Sequence, residues 1–285
     1  MAGRFVAIGD SFTEGVGDWN NSFPNGVRGW ADRVAKQLGR QDPAWEYANL
    51  AIRSKRLHHV RDEQVDRALA LEPTLVSLYA GGNDILELRT DMASLMREYE
   101  SVVARIAASG ARPLLFTGFD IPLSPVFEPM KRRNWLYNDH VRRIARTYDA
   151  VLVDYWCFDE YSDPGLWDAD RLHMSPAGHR NLAAHVLRVL GVDHSLTPRL
   201  PEREGYAGLV AGLRRESAWL GEWVVPMFGR RLRKVTLGDD LQPRWPEPVR
   251  PADGLKRLAR ARQAAAAQVG HPSSRGDARW PRSGD

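Results

Sequence analysis

The chain has 285 residues, 43% hydrophobic and 27% charged, with 24 Gly, 18 Pro and a single Cys. This composition excludes a collagen-like, disulfide-rich or wholly disordered chain, and the length suits one large domain or two small ones. The net charge of +4 divides unevenly: residues 1–198 carry 23 Lys and Arg against 26 Asp and Glu, whereas residues 199–285 carry 17 against 10. The basic excess belongs to the C-terminal part, so charge makes no case for nucleic-acid binding by the whole protein.

Cys157, being alone, forms no intrachain disulfide and no multi-cysteine metal site, and reads as a small apolar residue beside a strand. The apolar segment that follows Met1-Ala2-Gly3-Arg4 ends at Gly9-Asp10, too short for the core of a signal peptide. No apolar stretch approaches the roughly 18 residues of a membrane span. A cytoplasmic location is expected.

In chain order, five short apolar runs read as strands: Phe5–Gly9, Trp45–Asn49, Leu75–Ala80, Leu114–Gly118 and Val151–Asp154. Unbroken apolar runs without alternation suit strands buried on both faces of a parallel sheet. Between them, Tyr99, Val102, Val103 and Ile106 recur at helical spacing, as do Trp135, Val141, Ile144 and Ala145. Ser175-Pro176 reads as an N-cap and first-turn proline opening a helix through Leu190. Alternating strands and helices predict a doubly wound α/β domain over about residues 4–191, with ligands at the carboxyl ends of its strands.

Beyond this domain, taken as residues 1–198, residues 199–241 carry an apolar stripe at helical spacing: Leu209, Leu213, Leu220, Trp223, Val224, Met227 and Phe228. Pro226 interrupts it and Arg230-Arg231-Leu232-Arg233-Lys234 follows. An amphipathic helical extension packed on the domain is expected; the alternative is peripheral contact of 209–234 with an anionic membrane surface. Residues 242–285, rich in Pro, Arg and Ala, are expected to be largely disordered apart from a short helix over Leu255–Gln268.

Three motifs fall at carboxyl ends of predicted strands. Gly9-Asp10-Ser11-Phe12 presents a serine beside backbone N–H groups, as nucleophilic catalysis needs, although the motif also suits a turn with Asp10 or Ser11 as N-cap. Gly81-Gly82-Asn83-Asp84 combines close backbone approach with an amide able to donate to an oxyanion. In Asp168-Ala169-Asp170-Arg171-Leu172-His173, Asp170 and His173 are three apart, which lets the carboxylate hold one imidazole nitrogen while the other faces a nucleophile; Asp168 is the second choice of partner.

In that order, the three motifs resemble blocks of the SGNH hydrolase, or GDSL-type esterase/lipase, superfamily. Asn49-Leu50-Ala51-Ile52-Arg53-Ser54 resembles a further block, with Ser54 where the family usually has glycine. The resemblance covers about residues 4–191. It implies a three-layer α/β/α, flavodoxin-like fold with a five-stranded parallel sheet. It implies Ser11 as nucleophile, His173 as base, Asp170 as its support, and an oxyanion hole of Ser11, Ser54 and Asn83 supported by Asp10, Gly81 and Gly82. No cofactor and no metal are expected: His58-His59 and the His179/His185 pair lack ligand spacing. The implied activity is hydrolysis of small-molecule or lipid-like acyl esters; transfer of the acyl group to a sugar or alcohol, and thioester hydrolysis, are alternatives. A non-enzymatic alternative is binding of an anionic surface through the basic C-terminal arm.

Phe119–Asn134 is long for a strand-to-helix connection and is expected to border the site. Its Lys131-Arg132-Arg133 reads either as contact with an anionic substrate group or as a solvated helix start.

Overall fold

The computed structural model describes residues 3–87, 89–119, 128–197 and 237–268. In chain order the strands are β1 (Arg4–Gly9), β2 (Glu46–Asn49), β3 (Leu75–Tyr79), β4 (Arg112–Phe116), β5 (Val151–Val153) and β6 (Trp245–Val249). The helices are α1 (Ser11–Glu14), α2 (Trp30–Gln41), α3 (57–70, with a π-helical middle over Val60–Val65) and α4 (Gly82–Ile85). They continue with α5 (Met92–Ala108), α6 (Glu128–Thr147), α7 (Pro176–Val189) and α8 (Leu255–Gln268).

The sheet order is β5-β4-β3-β1-β2-β6. The first five strands are parallel and β6 runs antiparallel to β2. Pleating sends alternate side chains of β1 into two cores. Phe5 and Ala7 join Trp30, Phe116, Leu182 and Trp245 on the face covered by α2, α7 and α8. Val6 and Ile8 join Leu57, Tyr99, Val103 and Ile144 on the face covered by α3, α5 and α6. All of β3 is buried, which is why its run Leu75–Tyr79 shows no polar alternation. The expected three-layer doubly wound fold is present. Its order reverses between β1 and β3, so the crevice where such sheets bind ligands opens above those two strands.

Two corrections concern the C-terminal part. The sheet has six strands among the described residues, not five, and the tail expected to be largely disordered supplies the sixth, β6, while α8 forms over the expected Leu255–Gln268. The sequence Trp-Pro-Glu-Pro-Val pairs through Tyr47 with Val249 and Asn49 with Trp245, with an irregularity between them. Proline lacks an N–H and is admitted on an edge strand such as this one. Trp245 and Arg244 are fully buried, and Leu255 and Ala259 of α8 enter the core. The stripe expected over 209–234 falls outside the described residues.

Smaller corrections follow. Trp135 faces outward, 53% exposed, while Tyr137, Val141 and Ile144 make the buried stripe of α6. Helix α6 starts at Glu128, so the Phe119–Asn134 connection is shorter than expected, its residues 120–127 lying outside the described residues, while Lys131-Arg132-Arg133 stands near a helix start, as one of its two readings had it. Arg133 donates to the carbonyls of Ile85, Glu87 and Thr90 at 2.9–3.2 Å, which makes it a structural clamp on the segment after α4. Cys157 is exposed, at the end of the 3-10 turn Tyr155–Cys157, instead of packed beside β5.

Candidate active site

Ser11 is the first residue of α1, directly after β1. The turn between them needs a glycine: Gly9 has φ 144°, and a Cβ there would stand 2.2 Å from the Tyr79 carbonyl oxygen. Gln64 holds the Gly9 backbone from both ends. Its Oε1 accepts from Gly9 N at 2.8 Å and its Nε2 donates to Gly9 O at 3.0 Å. Asp10 caps α1 by accepting the Phe12 N–H at 3.1 Å.

The turn after β5 delivers the imidazole. Asp170 Oδ1 accepts the backbone N–H groups of Leu172 and His173, both at 2.9 Å, and Arg171 between them takes φ 53°. The other carboxylate oxygen, Oδ2, is 2.5 Å from His173 Nδ1, and His173 Nε2 is 3.0 Å from Ser11 Oγ. The serine, imidazole and carboxylate thus form one continuous hydrogen-bonded line. Gly17 lets this turn close, because a Cβ there would meet the Met174 carbonyl oxygen at 2.1 Å. Asp168 faces elsewhere: its Oδ2 accepts from the Trp19 indole at 3.0 Å.

Burial disfavours the charged form of His173, but the adjacent Asp170 carboxylate outweighs it and raises the imidazole above its ordinary value. Burial would likewise raise Asp170, and the imidazole with two backbone N–H donors brings it below the ordinary carboxylate value instead. Asp10 has no such cation in contact, and burial pushes it up to about 7.

Asn83 and Ser54 approach from the carboxyl ends of β3 and β2. Asn83, in α4, donates from Nδ2 to the Lys55 carbonyl at 3.0 Å and to Asp10 Oδ2 at 3.3 Å. Gly81 has φ 106° and lies against the Tyr137 ring, while Gly82 lies over the Tyr79 hydroxyl. Ser54 has φ 65°, a left-handed backbone that glycine takes more readily. A serine at a glycine position has therefore kept the backbone geometry of one.

What holds Ser54 there is a buried ion pair that the sequence reading missed. Glu14, fully buried at the end of α1, accepts from Arg53 N at 2.7 Å, Nε at 2.9 Å and Nη2 at 2.8 Å. The usable signal was Glu14, three residues after the candidate nucleophile in an apolar setting, where an ionised carboxylate requires a partner.

His179, His185, His58 and His59 have structural surroundings. His179 is fully buried, accepts from Trp30 N at 3.3 Å and meets Val16 O at 3.0 Å, and burial lowers its pKa to about 4. His185 pairs with Glu160, and the rings of His58 and His59 lie 3.9 Å apart at the start of α3. Among the described residues no group of three His, Cys, Asp or Glu is arranged to hold a metal, and no helix is long and apolar enough to cross a membrane.

Residues 7–180 match the model of the GDSL-like lipase/acylhydrolase family. No curated protein matches the chain. Among solved structures, the acetylxylan esterase Axe2 of Geobacillus stearothermophilus is 23% identical with a TM-score of 0.57, over 67% of this chain and 95% of that one. TesA is 23% identical with a TM-score of 0.55, over 66% of this chain and 97% of that one. These likenesses support the fold. The Axe2 structures include catalytic mutants at a serine, an aspartate and a histidine, the latter two three positions apart.

Proposed function

The chain belongs to the GDSL-like lipase/acylhydrolase family and is an SGNH-type ester hydrolase, and from that premise we propose that it cleaves carboxylic esters of small molecules through an acyl-enzyme on Ser11. The observation that carries this reading is the hydrogen-bonded line from Ser11 Oγ to His173 Nε2, at 3.0 Å, and from His173 Nδ1 to Asp170 Oδ2, at 2.5 Å. The catalytic serine, aspartate and histidine of the acetylxylan esterase, with the same three-residue spacing of the last two, support it further.

His173 Nε2 takes the Ser11 proton as Oγ attacks the ester carbonyl. The backbone N–H groups of Ser11 and Ser54 and the amide of Asn83 receive the developing oxyanion. Before substrate binds, the Asn83 amide donates to the Lys55 carbonyl and, at longer range, to Asp10 Oδ2, and the oxyanion takes the place of the Asp10 contact. His173 then protonates the leaving alkoxide. Water, activated by the same imidazole, releases the acyl group and restores Ser11. Asp170 fixes the tautomer and stabilises the imidazolium formed in each half.

A fluorophosphonate probe followed by peptide mass mapping tests the assignment. The expected result is a single adduct on Ser11, lost in His173→Ala; an adduct elsewhere, or none, overturns it.

The pH profile gives a second expectation. His173 must be neutral to act as a base, and its pKa is raised. The acid limb of kcat/KM therefore falls above the ordinary imidazole value of about 6.5. Asp170→Asn leaves burial as the governing influence on His173, so the limb moves below that value while kcat falls by about 10³–10⁴. Burial also raises Asp10, to about 7, and Asp10→Asn separates the two groups. A limb that moves in Asp10→Asn but not in Asp170→Asn would contradict the assignment to His173.

A further inference from the structure

The C-terminal arm returns to the catalytic end of the sheet before it enters β6. Asn25 Nδ2 links Glu14 Oε1 to the Gln242 carbonyl, at 3.0 Å to each. Arg244 Nη1 donates to the Glu14 carbonyl oxygen at 2.8 Å and to Asp32 Oδ2 at 2.7 Å. The arm is thereby tied to the residue that ends the Ser11 helix. Gly238, buried, meets the β2–α3 loop directly: a Cβ on it would stand 2.2 Å from the Arg53 carbonyl oxygen and 2.9 Å from Ile52 Cγ2. Its φ is not in the left-handed range, so space and not backbone conformation requires glycine.

The carbonyl it touches belongs to the peptide unit whose N–H is that of Ser54. A peptide unit is planar, so a push on its oxygen turns its N–H. On the other side, the Arg53 N–H and guanidinium are fixed to Glu14. The unit is thus held between Glu14 of the nucleophile helix and Gly238 of the arm. We propose that residues 237–245 are a positioning element of the oxyanion hole, acting through the contact of Gly238 with the Arg53–Ser54 peptide. This rests on the reading of Ser54 N–H as an oxyanion donor. It makes the arm, set apart from the chemistry by its composition, part of the apparatus that orients one of its donors.

The test uses full-length Gly238→Ala and Gly238→Val with p-nitrophenyl acetate. The expected result is a kcat lowered roughly ten- to a hundredfold, more for Val, with KM little changed. Fluorophosphonate labelling of Ser11 slows by a similar factor, because the phosphonyl oxygen uses the same donors. Combined with Asn83→Ala, the Gly238→Ala loss is smaller than the product of the single losses, since both act on one oxyanion. Wild-type kcat and labelling in both Gly238 variants overturn the proposal, as do losses that multiply with Asn83→Ala. A kcat loss explained by a smaller fraction of titratable Ser11 also overturns it. If Asn83→Ala itself turns over like wild type, the oxyanion reading falls and the proposal with it. If Asn83→Ala is impaired and the Gly238 variants are not, only the role of the arm falls.

Discussion

Ser11→Ala is expected to lower kcat by roughly 10⁵–10⁶ on a short-chain aryl ester, leaving a residual rate above the uncatalysed one. The substitution removes the oxygen that becomes acylated and leaves His173 without its 3.0 Å partner. It removes neither the Ser11 N–H nor the groups that would bind substrate, so KM should change little. Nor should it disturb the fold. The turn is set by Gly9, whose backbone is held by Gln64, and α1 is capped by Asp10; none of these uses the hydroxyl. Steady-state kinetics with a circular dichroism melt of the same preparation checks both halves. Wild-type turnover in a folded variant would remove Ser11 as nucleophile.

The central strands were legible because physics leaves them little choice. A strand buried on both faces, as β3 is throughout, must be almost wholly apolar, and Leu75–Tyr79, with Ser77 its one polar residue, announces that directly. The short-range elements of the site were legible for a similar reason. Asp170 and His173 meet through one tight turn whose spacing is written in the sequence, and Gly9 marks a turn only glycine can make. What escaped was long-range. Glu14 and Arg53 are 39 residues apart, and Arg244 and Asp32 are 212 apart. No local pattern joins them: even Glu14, whose setting asks for a partner, does not say which residue that is. β6 escaped for a further reason. Its two prolines argue against a strand anywhere but at an edge, and the β2 edge it occupies exists only once the sheet has formed.

Ending the chain at Leu241 is expected to abolish the folded state, although the three catalytic motifs and their five parallel strands remain in the truncated chain. Three losses add together. Trp245 is fully buried in the core beneath α2, and removing a buried tryptophan typically costs about 3–5 kcal/mol. Arg244 Nη1 and the Trp245 indole bond the two oxygens of Asp32, at 2.7 and 3.0 Å. Asp32 is itself buried, and leaving such a carboxylate without its cation costs about 3–5 kcal/mol more. Finally β2 loses its neighbour and becomes an open edge. The sum is comparable with the roughly 5–15 kcal/mol that keeps a whole domain folded. Circular dichroism and size-exclusion chromatography of the truncated chain should report an unfolded or aggregated protein. Trp245→Ala in the full chain separates the contributions, because it keeps Arg244 and is expected to lower the thermal midpoint by about 10 °C without unfolding the protein at room temperature. A truncated chain that melts like the full one would mean that β6 and α8 pack on an independently stable domain. The arm's basic residues would then be released to act elsewhere. The burial of Arg244 against Asp32 argues for the opposite: at that position, the positive charge that set the C-terminal part apart in composition belongs to the interior of the fold.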